Sequence, residues 1–284
     1  MGYNDDAQPA AVRLDLRRIT VDDVVDAVEK ALDTRLNRAT AVVKRRSMGF
    51  ASDRSTWVRI ECRGLERLDG QGWGLEAAHI LPADIPRPAW RAGLSWFDPA
   101  RHVVWRADET DLADGAAIGR AAHAAGLSEA WWTELDTVLD ALDVFRTPRQ
   151  ATPDCELISA SRIAAEIAVV LPGVDATVPG GEWTTAHADF TWQNLTGPTL
   201  SILDWEDFGT APRGLDAARL WFASLSVPQV AERVLRRPEL DSRTGRLMML
   251  WQCAQLLAWA DEDEPVYAEA KRATSELASQ LTTR

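Results

Sequence analysis

The chain has 284 residues, of which 46% are hydrophobic and 26% charged, a composition typical of folded globular proteins. Its formal net charge of −12 argues against a general nucleic-acid binder or a binder of anionic membranes, because both need basic surface. No run approaches the roughly 18 apolar residues that a membrane helix needs. The three cysteines are far apart and form no C-x-x-C pair, so the sequence suggests neither a zinc site nor a disulfide framework.

The amino-terminal segment is acidic and lacks the apolar core of a secretory signal. We therefore expect residues 1–18 to be a flexible tail, and we expect a cytoplasmic protein. The following segment, TVDDVVDAVEKALDTRL, places its valines on one helical stripe, which predicts an amphipathic helix. Thr20 is the predicted N-cap of that helix, with two aspartates near its positive end.

Strand patterns dominate the next part of the chain. The β-branched run TAVVK and the later run TWVRIEC flank a polar turn that contains Gly49, which predicts a hairpin. The segment QGWGLEAAHIL predicts a short helix, and two further strands flank a turn marked by Asp98 and Pro99. Residues 19–108 are therefore predicted to form a small, strand-rich N-terminal lobe.

The remainder of the chain is mainly helical in its pattern. Helical periods run through LADGAAIGRAAHAAGL, SEAWWTELDTVLDALDVF, ISASRIAAEIAVVL, LDAARLWFASL, SRTGRLMMLWQCAQLLAWA and PVYAEAKRATSELASQL. Ser128 is the predicted N-cap of the second of these segments, and LSILDW predicts a strand. The fold class is therefore predicted to be α+β, with residues 109–284 forming a larger helical C-terminal lobe.

A histidine, two aspartates and an asparagine follow one another at short intervals in the C-terminal lobe. Asp189 stands on an irregular segment, where a carboxylate can accept a proton from a substrate hydroxyl. Asn194 and Asp204 offer the hard oxygen ligands that suit Mg²⁺ together with substrate phosphates. Phosphoryl transfer uses this combination of base and metal ligands. Each residue alone is typical of a capped turn or a surface carboxylate, so the interpretation depends on their joint order.

The segments HADFTWQN and ILDWEDFG resemble the catalytic and metal-binding segments of the aminoglycoside phosphotransferase and choline kinase group. That group usually carries glycine where this chain has Ala188. The resemblance implies that Asp189 is the catalytic base, that Asn194 and Asp204 hold Mg²⁺, and that His187 supports the loop by hydrogen bonding. It also implies a two-lobed protein-kinase-like fold and ATP or GTP as the phosphoryl donor.

The segment GTAPRGLDAARLW extends this resemblance, because the group follows its metal-binding carboxylate with a turn and an aspartate that opens a helix. Asp216 occupies that position, and the resemblance implies a buried acceptor that holds the catalytic loop. Glu206 and Asp207 have two open interpretations: additional support for the metal, or a solvent-facing pair.

The resemblance also assigns residues that would bind the nucleotide. Ser52, in the segment RRSMGFASDRS, is the predicted phosphate contact of a covering loop, and a generic hairpin tip is the alternative. Arg59 stands where the group carries a strand lysine, so we predict a phosphate contact there, against an ordinary exposed strand arginine. Glu76 is the predicted partner of this cation, or else a surface helix residue. Ala107 and Asp108 are predicted to lie in the interlobe hinge that contacts adenine.

Together these patterns predict an ATP-dependent phosphotransferase that acts on a hydroxyl of a small molecule, with neither nucleic acid nor membrane as partner. The acceptor class is an antibiotic, an amino alcohol or a sugar-like compound. One alternative is a kinase for Ser or Thr of peptides in natural-product biosynthesis. Another is a nucleotide-binding pseudokinase, which the missing strand lysine and the sparse glycine loop suggest. A metal-dependent hydrolase with His187 and Asp189 as ligands would need further His or Asp partners.

Overall fold

The computed structural model describes residues 14–68, 73–153 and 156–282. Most of the predicted tail and Cys155 therefore lie outside the described residues. The last residues of the predicted tail are packed on the first sheet's core, because Leu16 is buried and its N–H donates to the Arg45 carbonyl at 2.9 Å. None of the helices in the described ranges combines the length and the hydropathy of a membrane span.

The chain divides into two compact units. The first contains residues 1–70 and 88–112, and the second contains residues 71–87 and 113–284. The segment 71–87, which the sequence placed in the N-terminal lobe, is thus grouped with the second unit. The predicted lobe boundary at residue 108 stays a prediction.

In its described residues, the first unit is a five-stranded antiparallel sheet with one α-helix. Its strand order is β1-β2-β3-β5-β4. The elements are α1 (Asp22–Leu32), β1 (Val42–Val43), β2 (Ser47–Ala51), β3 (Thr56–Gly64), β4 (Trp90–Asp98) and β5 (Val103–Asp111), with 3₁₀ turns at Arg38–Thr40 and Leu65–Arg67. Helix α1 is as predicted, but Val21 occupies its N-cap position and no side chain caps it, so the Thr20 prediction is wrong.

Strand β3 separates an apolar face of this sheet from a charged one. Val58, Ile60 and Cys62 are buried in one core with the valines of α1. Because side chains alternate along a strand, Arg59, Glu61 and Arg63 point to the opposite face. Burial raises the pKa of the Cys62 thiol to about 11, so this cysteine is an inert core residue.

The second unit is mainly helical, with two small two-stranded sheets that pair β6 with β8 and β7 with β9. Its helices are α2 (Leu75–Ile80), α3 (Ala121–Ala124), α4 (Glu129–Val144), α5 (Ala160–Val170), α6 (Leu215–Phe222), α7 (Pro228–Leu235), α8 (Pro238–Asp241), α9 (Arg243–Leu257) and α10 (Tyr267–Thr282). Its strands are β6 (Ala116–Ala117), β7 (Trp183–Ala186), β8 (Thr196–Gly197) and β9 (Gly209–Pro212), and 3₁₀ turns cover Gly180–Glu182 and Trp205–Asp207.

Helix α9 is the centre of the second unit. Eleven of its residues are buried, and it contacts α5, α6, α8 and α10. Trp251 on this helix donates from its indole N–H to Glu166 on α5 at 2.6 Å, which satisfies the polar edge of a buried ring. A helix that is apolar on nearly all sides requires neighbours on all sides, which explains the layered packing around it.

Two local predictions in this unit need comment. Ser128 caps α4 as predicted, because its hydroxyl accepts the Trp131 N–H at 3.2 Å. The predicted strand LSILDW is reduced to a single bridge between Ile202 and Leu195, because the backbone turns into the left-handed region at Asp204.

Gly209 offers a test of close packing in this unit. A Cβ at this position would overlap the backbone of Gln150 and Ala151, which cannot rotate away as a flexible side chain can. We expect Gly209→Ala to lower the free energy of unfolding by about 1–3 kcal/mol, measured by urea denaturation. Gly180→Ala is the matched control, since no atom lies within 4 Å of its added Cβ and we expect a change below about 0.5 kcal/mol. Equal losses in the two variants would contradict this packing.

Candidate functional site

The pairing of β7 with β9 brings the two predicted site segments to the same end of one ladder. Ala186, the last residue of β7, pairs with Gly209, the first residue of β9. The segment that starts at His187 therefore leaves the ladder where the segment containing Asp204 enters it. Between them the chain folds back on itself, and the Leu203 N–H donates to the Asn194 carbonyl at 2.8 Å.

Asp216, near the start of α6, holds the first residues of this loop in place by hydrogen bonds. Its two carboxylate oxygens accept the consecutive N–H groups of His187 at 2.7 Å and Ala188 at 2.9 Å. Burial raises the pKa of the Asp216 carboxyl, whereas the backbone hydrogen bonds from His187 and Ala188 and the charge of Arg219 act in the opposite direction. Two buried backbone donors thus find their acceptor in one side chain, as buried N–H groups require.

His187 joins the two arms of the site. Its Nδ1 accepts the Asp189 N–H at 3.2 Å, so the pattern assigns the ring proton to Nε2, which donates to the Leu203 carbonyl at 2.8 Å. The ring is fully buried and packs edge-to-face on Trp205 at a centroid distance of 4.7 Å. Both ring nitrogens are therefore engaged inside the protein, which argues against the metal-dependent hydrolase that needs His187 as a ligand.

Asp189 emerges from the loop with its carboxylate held on both sides. Its Oδ2 accepts from the Asn194 side-chain amide at 2.9 Å, and the same Nδ2 also reaches the Asp189 carbonyl at 2.8 Å. Its Oδ1 accepts from the Arg219 guanidinium at 2.9 Å. The side chain of Asp189 keeps 37% of its exposure, so this carboxylate is open to solvent.

Sequence reasoning missed Arg219. The available signal was its position, because residues three apart on a helix lie on the same face and Arg219 follows Asp216 by three. Helix α6 therefore contacts the loop backbone through Asp216 and the Asp189 carboxylate through Arg219.

Two residues of the site adopt the left-handed backbone region that favours glycine. Ala188 has φ of 68° and Asp204 has φ of 64°. Asp204 stands at the N-cap position of the 3₁₀ turn that follows it. Glu206 and Asp207 in that turn are buried, so the interpretation of a solvent-facing pair is wrong.

The predicted phosphate contacts lie on the first unit. The Ser52 hydroxyl is 2.6 Å from that of Thr56 and also accepts the Arg54 N–H at 3.1 Å, within the turn between β2 and β3. Gly49 belongs to β2, so the polar turn is shorter than predicted. Arg59 lies 3.2 Å from Glu61 and is 31% exposed on the charged face of β3. A nucleotide role for Ser52 and Arg59 stays a prediction.

The structure places Ala107 and Asp108, the predicted hinge residues, in a paired strand. Both residues lie inside β5, where Ala107 pairs with Ile60 on one side and Leu94 on the other. The predicted adenine contact at Ala107 and Asp108 stays a prediction. The Asp108 carboxylate accepts from Trp90 at 3.0 Å inside the unit.

Glu76 lies on α2, within the second unit. Its predicted role as the partner of a phosphate-binding cation stays a prediction.

Comparison with solved structures identifies the fold. The chain is similar to the aminoglycoside phosphotransferase APH(4)-Ia, with a TM-score of 0.58 and 14% identity over 92% of this chain and 97% of that one. It is also similar to choline kinase LicA from Streptococcus pneumoniae, with a TM-score of 0.56 and 12% identity over 90% and 98% of the two chains. A third similar structure is amicoumacin kinase hAmiN in complex with AMP-PNP, Ca²⁺ and Ami, with a TM-score of 0.52 and 10% identity over 93% and 96%.

No family model matches the sequence, and no curated protein matches it. The similarity to these solved structures shows that the protein has the kinase-like fold of aminoglycoside phosphotransferases and choline kinases, and the predicted fold class is confirmed. The similarity at this level of identity concerns the fold.

Ala188 provides a test of the loop backbone. An L-residue in the left-handed region costs roughly 1–2 kcal/mol, which glycine avoids. We expect Ala188→Gly to destabilise the protein less than Ala186→Gly does. The expected difference between the two losses in the free energy of unfolding is about 1–2 kcal/mol, measured by urea denaturation. Ala186 is the matched control because it is equally buried but lies in a strand. A loss in Ala188→Gly as large as in Ala186→Gly would show that the loop stores no such strain.

Proposed function

We propose that this protein transfers the γ-phosphoryl group of ATP to a hydroxyl of a small molecule. The observation that carries the proposal is the carboxylate of Asp189, 37% exposed and fixed by hydrogen bonds from Asn194 and Arg219. A general base has to be oriented and accessible, and both conditions are met in this loop. The similar structures are those of small-molecule kinases, which supports the same class of reaction.

The residues at the site suit Mg²⁺ in the chemistry of their donors. The Asn194 amide nitrogen faces two oxygen acceptors of Asp189, so its Oδ1 lies on the other branch of the side chain. Asp204 is the residue after Leu203, whose N–H donates to the Asn194 carbonyl. One amide oxygen and one carboxylate are the few protein ligands that Mg²⁺ takes beside phosphate oxygens. Mg²⁺ bound there would neutralise charge on the phosphates.

The reaction requires one proton transfer and one exchange of phosphorus–oxygen bonds. Asp189 accepts the proton of the acceptor hydroxyl, and the acceptor oxygen forms a bond to the γ-phosphorus. The bond from the γ-phosphorus to the bridging oxygen breaks, which releases ADP. A carboxylate has about four lone-pair sites, so the contacts from Asn194 and Arg219 leave capacity for the incoming hydroxyl. His187, buried and engaged at both nitrogens, supports the loop.

A nucleotide-consumption screen tests the function directly. ADP release from Mg-ATP, and separately GDP release from Mg-GTP, is measured with aminoglycosides, amino alcohols, nucleosides and Ser-containing peptides as acceptors. We expect a small-molecule alcohol to accelerate release above the rate with water. Acceleration by peptides alone would favour the peptide kinase, and nucleotide binding without turnover on any acceptor would favour the pseudokinase.

Removal of the base gives the sharpest single-residue test. We expect Asp189→Asn to lower turnover by about 10²-fold or more while leaving nucleotide affinity nearly intact, because the amide cannot take the proton. Asp175→Asn is the control, since this carboxylate is 70% exposed and pairs with Arg243 instead. Unchanged turnover in Asp189→Asn would remove Asp189 from its proposed role.

Removal of the metal-binding carboxylate is tested by binding. We expect Asp204→Ala to weaken the binding of Mg-nucleotide by at least about tenfold, measured by titration calorimetry, because charge compensation at the phosphates is lost. The binding of nucleotide in EDTA should change little. Asp261→Ala, at an exposed position, serves as the control. Equal Mg-nucleotide affinity in Asp204→Ala and the parent protein would reject the metal assignment.

A further inference from the structure

Arg219 contacts the proposed base, although the sequence analysis assigned it no role. Its guanidinium donates to Asp189 Oδ1 at 2.9 Å, and the two side chains keep 21% and 37% of their exposure. Within the described part of the chain, Asp189 is the one hydrogen-bond acceptor of this guanidinium. Its charge also acts on the nearby Asp216 carboxyl, so Arg219 interacts with the carboxylates of both Asp189 and Asp216.

The position of Arg219 on α6 ties this contact to the loop backbone. Asp216, one helical turn earlier, accepts the N–H groups of the two residues before Asp189. Side chains three apart on a helix lie close together on one face. Helix α6 therefore sets the backbone of the loop through Asp216 and the side chain of the base through Arg219.

The energetic character of the pair argues for orientation over stability. The contact is a single hydrogen bond between partly exposed groups, and such ion pairs typically contribute little to folding. A charge-assisted hydrogen bond nevertheless restricts direction. The final torsion of an aspartate is broad, so a carboxylate held at one oxygen can still rotate. Asn194 restrains Oδ2, and Arg219 supplies the restraint at Oδ1.

We propose that Arg219 is a positioning residue that fixes the carboxylate plane of Asp189 for proton acceptance. The inference rests on the proposed phosphotransferase function, because it concerns how that base is aimed. A misplacement of a reacting group by about 1 Å can reduce a rate by about 10²-fold. The hydrogen bond of Arg219 goes to the proposed base, so we expect its loss to affect turnover more than nucleotide binding.

The test compares Arg219→Gln, Arg219→Lys and the parent protein. Turnover of Mg-ATP is measured with the best acceptor of the screen, or with water when no acceptor exceeds it. We expect Arg219→Gln to lower kcat by roughly 10- to 100-fold, with the KM for Mg-ATP changed less than about twofold. Arg219→Lys should recover part of kcat, because its ammonium can donate to the same oxygen. Arg213→Gln is the control, since Arg213 pairs with Asp143 at 2.9 Å instead.

Three outcomes would overturn the inference. Unchanged kcat in Arg219→Gln would show that the contact has no role in turnover. A kcat loss matched by Arg213→Gln, or accompanied by a lower melting temperature in Arg219→Gln alone, would indicate a structural role. A parent protein without any turnover of Mg-ATP would overturn the proposed function and the inference with it, and this result is distinct because it precedes any comparison of variants.

Discussion

The site depends on one buried carboxylate. Asp216 accepts two consecutive backbone N–H groups at the start of the loop, in a place where water cannot substitute for it. An unpaired buried donor is costly, so this interaction selects one loop conformation over others. Ala188, whose N–H is one of these two donors, has a left-handed backbone, and the next residue is the partly exposed Asp189. Asp189 thereby reaches solvent from a loop whose preceding residues are fully buried.

The same conformation joins the proposed base to the proposed metal ligands. His187 connects the Asp189 N–H to the Leu203 carbonyl, and the Leu203 N–H connects to the Asn194 carbonyl. Together with the hydrogen bonds from the Asn194 side chain to Asp189, these bonds link the loop that follows β7 to the segment that precedes β9. Asp204 follows Leu203 directly. A disturbance at any of these residues is therefore expected to move both halves of the chemistry, which makes single-residue effects in this region non-additive.

The first unit shows how charged side chains can stand along a strand without disturbing the core. Alternation along β3 sends Arg59, Glu61 and Arg63 to one face while the apolar residues pack on α1. Arg63 is almost fully buried, and its Nε lies 2.5 Å from Glu61 Oε1. Its positive charge is therefore paired within the strand. Arg59 is the more exposed of the two arginines, which keeps it the candidate for a phosphate contact.

The sequence by itself determined the fold class and the order of the chemistry-bearing residues, because both are local. Helix α1, the cap at Ser128 and the spacing from His187 to Asn194 each depend on neighbouring residues. Only the tertiary structure decided what Arg219 contacts and which strands pair with β5, because partners distant in sequence settle both. The hydrophobic pattern around Ala107 is compatible with a hinge or a central strand, and pairing with two other strands selects the strand.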